Sequence, residues 1–336
     1  MRTTTRTRRT LAAALAGSAA LVLAACGAPG SGGGEAETTA TSTSGLAVCE
    51  PVAGESLVVL DDDLGLQNAD NVIPAINADV AAEHPEVVEL LDAVSASLDT
   101  EGLIALNKAV DIDRRTSSEV AAEFVEEQGL AADEQTGEGV ELSVGAANFS
   151  ESLTLAEIYA EVLRSAGFEA QAQSIGSRET YLPALQDGTL AAVPEYAATL
   201  ADFLNSQING ADADPVASSD VDATVEALTP LAEESGLAVG AASAAQDQNA
   251  FAVTAEFAEA NGVATLSELA ETCGGLVLAG PPECPERPFC QIGLEETYGL
   301  EIGEFRSYEF ALIGEAVRQG DAALGLVLSS DGSLAG

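Results

Sequence analysis

Tryptophan is absent, and histidine and lysine occur once each, as His84 and Lys108. Basic residues of both kinds number 12 in 336, against 55 acidic ones, which leaves a net charge of −43. Arg2, Arg6, Arg8 and Arg9 crowd the first nine positions, so any form without them is more acidic still. A surface this acidic repels phosphate backbones and anionic membrane faces, which excludes nucleic-acid binding. With one imidazole and one ammonium group, general-base catalysis and zinc ligation lack their usual residues, and an enzyme would have to work with carboxylates. No cofactor and no metal are expected. What the chain has in quantity is apolar side chains, 47% of the total, enough for a packed core. Its length points to about two domains.

Long hydrophobic runs are scarce too. The longest, Leu11 to Ala25, follows the basic start and ends in Leu23-Ala24-Ala25-Cys26. It is too short to span a bilayer. A basic segment, an apolar segment and small residues before a cysteine together resemble a bacterial lipoprotein signal. The resemblance implies a signal peptide over 1–25, acylation of Cys26 as the mature N-terminus, and an extracytoplasmic protein held to the cell membrane by its lipid. Arg8-Arg9 is not read as a twin-arginine signal, because Thr10 stands where an apolar residue is needed. Gly27 to Gly45 is built of Gly, Ser, Thr, Ala and Glu without apolar periodicity, so 26–54 reads as a flexible tether. The Ala-rich, nearly Lys-free composition points to a Gram-positive, actinobacterial cell.

Four cysteines remain beyond Cys26, an even number in an exported chain, which favours two disulfides over buried free thiols. Cys284 and Cys290 are close in a Pro-rich loop and easiest to close; Cys49 with Cys273 follows by elimination.

Leu57 to Leu60 reads as a strand ending in the acidic run Asp61 to Asp63, whose spacing is not that of a calcium loop. Pro85 opens a helix with Val87, Leu91, Val94 and Leu98 on one face, and helices follow at Glu101–Val110 and Ser117–Gln128. Segment 131–139 is acidic and aperiodic, a linker. After it, strands at Val140–Gly145, Glu169–Ser174 and Leu190–Val193 alternate with helices at Ser150–Ala166 and Glu179–Gln186, which argues for parallel βαβ units and an α/β fold. Further on come a helix at Val221–Ser235, a strand at Phe251–Thr254, a capping box at Thr265 and Glu268, a strand at Leu276–Leu278, a helix at Leu312–Gln319 and a strand at Ala323–Leu328.

Four stretches carry a resemblance to a family: Gly145-Ala146-Ala147-Asn148-Phe149-Ser150-Glu151, Gly176-Ser177-Arg178-Glu179, Pro194-Glu195-Tyr196 and Gly280-Pro281-Pro282-Glu283-Cys284-Pro285-Glu286-Arg287-Pro288. In this order they resemble the substrate-binding lipoproteins of ATP-binding-cassette (ABC) importers for glycine betaine, choline and related osmoprotectants. The resemblance implies a two-lobed, type II periplasmic-binding-protein-like fold. The segment from Leu57-Val58-Val59-Leu60 through Leu130 is similar to the family's C-terminal end, yet stands at the front, and the chain stops at Ser329-Ser330-Asp331-Gly332, where relatives continue into that segment. The order is read as a circular permutation: 55–130 as the family's usual end, comprising the return crossover and helices of lobe 1; 131–139 as the joint; 140–250 as lobe 1; and 251–336 as lobe 2. Termini close together at a surface make such a joint physically reasonable.

A methylated ammonium has no donors and is held by aromatic faces, while a carboxylate needs donors. The resemblance places both in the cleft between lobes. It implies Tyr196 as an aromatic wall, Thr199 as a donor, Phe251 as a second aromatic, Arg287 as a carboxylate partner, and Asn148, Ser150, Arg178 and Glu179 as further ligand-binding residues. Arg287 could instead pair with Glu283 or Glu286, and Arg178 with Glu179 could be a helix-start ion pair. Three family positions are replaced, by Ala147, Gly314 and Leu328; Phe149, Tyr181, Tyr308 or Phe310 could refill the cage. The expected function is a monomeric solute receptor that delivers a small zwitterion or quaternary amine to an ABC permease. The alternative is a degenerate relative serving as a surface interaction or sensor-partner protein. Neither a nucleophile–base constellation nor a phosphate-binding Gly-rich loop is found, so no enzyme is expected.

Overall fold

The chain builds β1 (Ala47–Val48), β2 (Leu57–Val59), β3 (Val72–Asn77), β4 (Glu141–Ala147), β5 (Glu169–Gly176), β6 (Ala192–Tyr196), β7 (Leu237–Val239), β8 (Asn249–Thr254), β9 (Cys273–Gly274), β10 (Leu276–Gly280), β11 (Ile302–Ser307) and β12 (Leu324–Leu328). The computed structural model describes residues 45–335. The signal segment, Cys26 and most of the tether lie outside them. Two five-stranded sheets form, ordered β5-β4-β6-β3-β7 and β11-β10-β12-β8-β2, and β1 pairs with β9 in a short parallel ribbon. Each sheet with its helices is one lobe of an α/β fold.

In lobe 1, β4 pairs in parallel with both β5 and β6. The helices Ser150–Ser165 and Arg178–Gln186 make the two crossovers, as the alternation of patterns implies. Leu155, Ile158 and Val162 of the first helix are buried on one face against the sheet. The helix Ser117–Gln128 starts from a capping box of Thr116 and Glu119 and stops at Gly129, whose φ of 65° ends the helix in the left-handed region. Segment 131–139 contains neither helix nor strand.

The central strand β3 has no counterpart in the sequence reading, since Pro74 interrupts Val72-Ile73-Pro74-Ala75-Ile76. It is antiparallel to β6 and β7, and its register explains the proline: Pro74 lies opposite Pro194. Two facing prolines fit the β3–β6 ladder at a pair that exchanges no hydrogen bonds, so neither missing N–H costs a bond between those two strands. The Pro74 carbonyl is satisfied on the other side by the Gly240 amide at 2.9 Å.

Lobe 2 has β10 parallel to β11 and β12, with β8 antiparallel to β12 and to β2. The strand Leu57–Val59 therefore belongs to lobe 2, and the chain enters lobe 1 through 60–71 and returns through 240–248. The expected capping box at Thr265 and Glu268 opens the helix Leu266–Thr272. Disulfides join Cys49 to Cys273 and Cys284 to Cys290, with Cα separations of 5.3 and 5.2 Å. The first ties β1 to β9; the second closes the loop after β10.

Candidate functional site

Parallel strands place the ends of their connections along one edge, which is where open α/β sheets gather ligand-binding residues. In lobe 1, β4 runs into Asn148 and Phe149 ahead of the helix Ser150–Ser165. Strand β5 ends at Gly176, whose φ of 143° is open to glycine, and the turn delivers Arg178 at the start of the next helix. Strand β6 ends in Glu195 and Tyr196, followed by the helix Ala197–Asn209 carrying Thr199 and Phe203. From lobe 2 the same edge supplies Asn249 at the start of β8, Leu328 at the end of β12, and Phe289 in the disulfide-closed loop after β10.

Two adjoining cavities occupy the space between these edges. One, of about 530 Å³, is walled by Asn148, Phe149, Arg178, Tyr181, Tyr196 and Thr199, with Asp70 and Asp247 from the two crossovers. The other, of about 520 Å³, shares Asp70, Arg178, Thr199 and Asp247 and reaches Phe203, Asn249, Phe289 and Leu328. Lobe 1, both crossovers and lobe 2 thus line one cleft.

Its aromatic wall is a pair. Phe149, 45% exposed, stacks on Tyr196 with ring centroids 6.3 Å apart and planes at 26°. The Tyr196 hydroxyl is turned inward and donates to Glu151. Burial first, and then the Glu151 charge, hold this phenol well above its ordinary pKa, so it remains a donor.

Beside that wall, Glu195 is completely buried and forms a bidentate pair with Arg178, Nε to Oε1 at 2.9 Å and Nη2 to Oε2 at 2.6 Å. The Tyr181 hydroxyl donates to the same carboxylate at 2.6 Å. Arg178 also donates to Thr199 Oγ1 at 2.9 Å and lies over the Phe203 ring, 5.5 Å from its centroid. With Oγ1 accepting from Arg178, the Thr199 hydroxyl hydrogen is free to meet a ligand oxygen. Arg178 is therefore neutralised within the site.

The remaining charges are carboxylic. Asp70 accepts from the Thr199 amide at 3.0 Å, and burial pushes its pKa up to about 6. Glu151, 5% exposed, sits behind Tyr196 and accepts from Asn107. Burial, and then the nearby Asp247, push it to about 7. Asp247 is raised as well, by burial. These cleft groups form an acidic pocket faced by aromatic rings, suited to a methylated cation.

Of the residues singled out in the sequence, Asn148, Arg178, Tyr196 and Thr199 meet in the cleft. Four others need correction. Phe251 is 1% exposed and packed in the lobe 2 core with Leu60 and Val253, which shares its face of β8, whereas Asn249, at the first position of the strand, reaches the cleft. Ser150 Oγ donates to Asp111 at 3.0 Å, at the helix start. Glu179 is exposed, its pKa lowered by a hydrogen bond from Ser177, and Arg178 pairs with Glu195 rather than with it. Gly314 faces Leu57 and Arg318 inside lobe 2, so no cage position was lost there. Arg287 is exposed on the lobe 2 loop beside Phe289 and Phe310; among the described residues it forms no ion pair with Glu283 or Glu286. Asp62 and Asp63 accept backbone amides, Asp62 from Leu66 and Gln67 and Asp63 from Ser267.

Sequence reasoning missed Asp70, Glu151, Phe203, Asp247 and Phe289. Glu151 stood inside a quoted motif, as did Glu195, whose pairing with Arg178 was also missed; Asp70, Phe203, Asp247 and Phe289 carried no local signal.

Residues 52–127 and 140–335 match the family described as the substrate binding domain of ABC-type glycine betaine transport systems. The chain is 39% identical over 83 residues to a glycine-betaine-binding protein of Pseudomonas aeruginosa, covering 25% of this chain and 27% of that one. It is 32% identical over 79 residues to the glycine betaine-binding protein YehZ of Escherichia coli, covering 24% and 26%. The matches thus span about a quarter of the length of these curated relatives. A crystal structure titled as a glycine betaine/carnitine/choline ABC transporter aligns over 58% of this chain and 70% of that one, at 18% identity and a TM-score of 0.45.

Proposed function

Since the chain belongs to the family of substrate-binding domains of ABC-type glycine betaine transport systems, we propose that it is an extracytoplasmic receptor that binds glycine betaine, choline or a related small solute between its lobes and hands it to a membrane permease. The observation that carries this reading is the juxtaposition of the stacked Phe149–Tyr196 wall with Asp70 and Asp247 in one cleft. Aromatic faces attract a methylated ammonium, and the carboxylates supply charge. Arg178 serves as a scaffold, its charge spent on Glu195. For a zwitterion, the opposite end would meet Arg287 and Phe289 as lobe 2 closes, with Asn249 and Thr199 as polar neighbours.

Acylation at Cys26 tethers the receptor to the membrane, and the protein works as a monomer. The gap between the two matching segments, 128–139, includes 131–139, in keeping with a circular permutation joined there. The family is one of solute-binding proteins and not of enzymes, so no reaction is assigned.

Without tryptophan, intrinsic fluorescence reports poorly, and calorimetric titration with glycine betaine and choline is the direct test. Saturable binding is expected, weakened about 2- to 30-fold by Tyr196→Ala if one cation–π face of about 0.5–2 kcal/mol is lost. A cooperatively folded sample that binds no quaternary amine would overturn the reading.

A further inference from the structure

Two carboxyl groups from different parts of the fold meet behind the aromatic wall. Glu151 is in the first turn of the helix Ser150–Ser165, and Asp247 lies in the return crossover within hydrogen-bonding reach of it. Their surroundings bind them into one cluster. Asn107, at the end of the helix Thr100–Asn107, donates to Glu151 and also, at 2.8 Å, to the Ser330 carbonyl. The Ser330 hydroxyl donates to Asp247 at 2.8 Å. Lobe 1, the crossover and the segment after β12 are thereby joined through a carboxyl pair.

We propose that Glu151 and Asp247 share one proton in the empty receptor and release it when a quaternary ammonium enters the cleft, so that solute capture is linked to pH. This rests on the reading of the cleft as a quaternary-amine site.

Two carboxyl groups this close and shielded from water keep one proton between them well above the ordinary carboxylate range unless a cation is near. Among the described residues, the charged groups that act on the pair are these. Asp70 comes from the outward crossover, Glu195 and Tyr196 from β6, and Asp331 from the segment after β12; Arg178 is held by Glu195. A ligand cation is the missing countercharge, and it reaches the pair by two routes. Asp247 itself lines both cavities, while Glu151 accepts from the hydroxyl of the ring that walls one of them. On binding, one carboxyl O–H is broken and the proton passes to solvent; no other bond changes. The positions of Glu151, at about 7, and of Asp247, raised by burial, agree with a pair that holds one proton near neutrality.

The sign follows. At low pH the ligand must displace a proton, so the dissociation constant of a cation rises as pH falls, by up to about tenfold per pH unit, and levels off above about pH 7. The full chain would be titrated with choline and with tetramethylammonium, which has no group of its own to ionise, from about pH 5 to about pH 8. Measuring the heat in two buffers of different ionisation enthalpy gives the number of protons released. The expected results are a rising dissociation constant at acid pH, release of up to one proton per ligand, and a flattened profile in Glu151→Gln and in Asp247→Asn. Binding with a flat profile and no buffer dependence overturns the proposal while leaving the receptor reading intact. Loss of the slope in Asp70→Asn but not in Glu151→Gln overturns it also, by moving the proton to Asp70. Failure of both amines to bind at any pH overturns the receptor reading itself.

Discussion

Glu195→Gln removes one charge from the most enclosed ion pair of the cleft while keeping the side chain's shape. Glu195 is fully buried and accepts Arg178 Nε at 2.9 Å, Arg178 Nη2 at 2.6 Å and the Tyr181 hydroxyl at 2.6 Å. Taking away one partner of such a pair strands the other charge in a poorly solvated site, a loss of about 3–5 kcal/mol. Roughly 290 ordered residues at about 2.1 cal/mol/K each give an unfolding entropy near ~0.6 kcal/mol/K, so Tm should fall by about 5–8 °C. Circular dichroism during heating or urea titration reads this without tryptophan. The double variant Arg178→Met with Glu195→Leu, which removes both charges, should recover most of the loss, because well-packed apolar pairs replace buried ion pairs at little cost. A Glu195→Gln shift below about 1 °C, or a double variant as unstable as the single one, would show that the pair is solvated and the argument wrong. The single variant also leaves Arg178 less neutralised, so its preference should move toward solutes carrying a carboxylate.

The two disulfides should separate stability from binding. With its cysteines 224 positions apart, Cys49–Cys273 restricts the unfolded chain by about 5 kcal/mol, against about 2 kcal/mol for Cys284–Cys290 at a separation of 6. Replacing the first pair by serine should lower the urea midpoint more; replacing the second should chiefly weaken solute binding, since its loop carries Arg287 and Phe289, and equal effects of both on both measurements would refute this. Glu151 has a further consequence for stability. Its folded pKa is raised from 4.5 to about 7, so the folded state favours the protonated form, and its contribution is full below the unfolded value and lost as pH rises through the folded one. Glu151→Gln, held neutral, should therefore gain on the parent between about pH 4.5 and pH 7 and then run parallel; urea midpoints with a constant difference would contradict the raised value.

Helix and strand periodicity, caps and turns depend on neighbours a few residues away, and these were legible. The alternation from β4 to β6 implied a parallel α/β lobe, and Thr265 and Glu268 announced a helix start; the resemblance, not the local pattern, implied Tyr196 as a wall of the cleft, and it lines a cavity there. What the sequence by itself determined was therefore the α/β class, the family resemblance, and an acidic composition without the residues of most catalysis. Only the tertiary structure decided that Val72–Asn77 is a central strand, because its proline is tolerated by register against Pro194 and not by anything nearby in the chain. Only it placed Phe251 in the lobe 2 core, because packing against Leu60 comes from a distant segment, and brought Phe289 to the cleft on the disulfide-closed loop. And only it gathered Asp70, Glu151 and Asp247 around the cleft, Glu151 behind Tyr196 and the two aspartates lining the cavity: each is one acid among 55 in the sequence, and their pKa values exist only where folding removes water and sets the charges side by side.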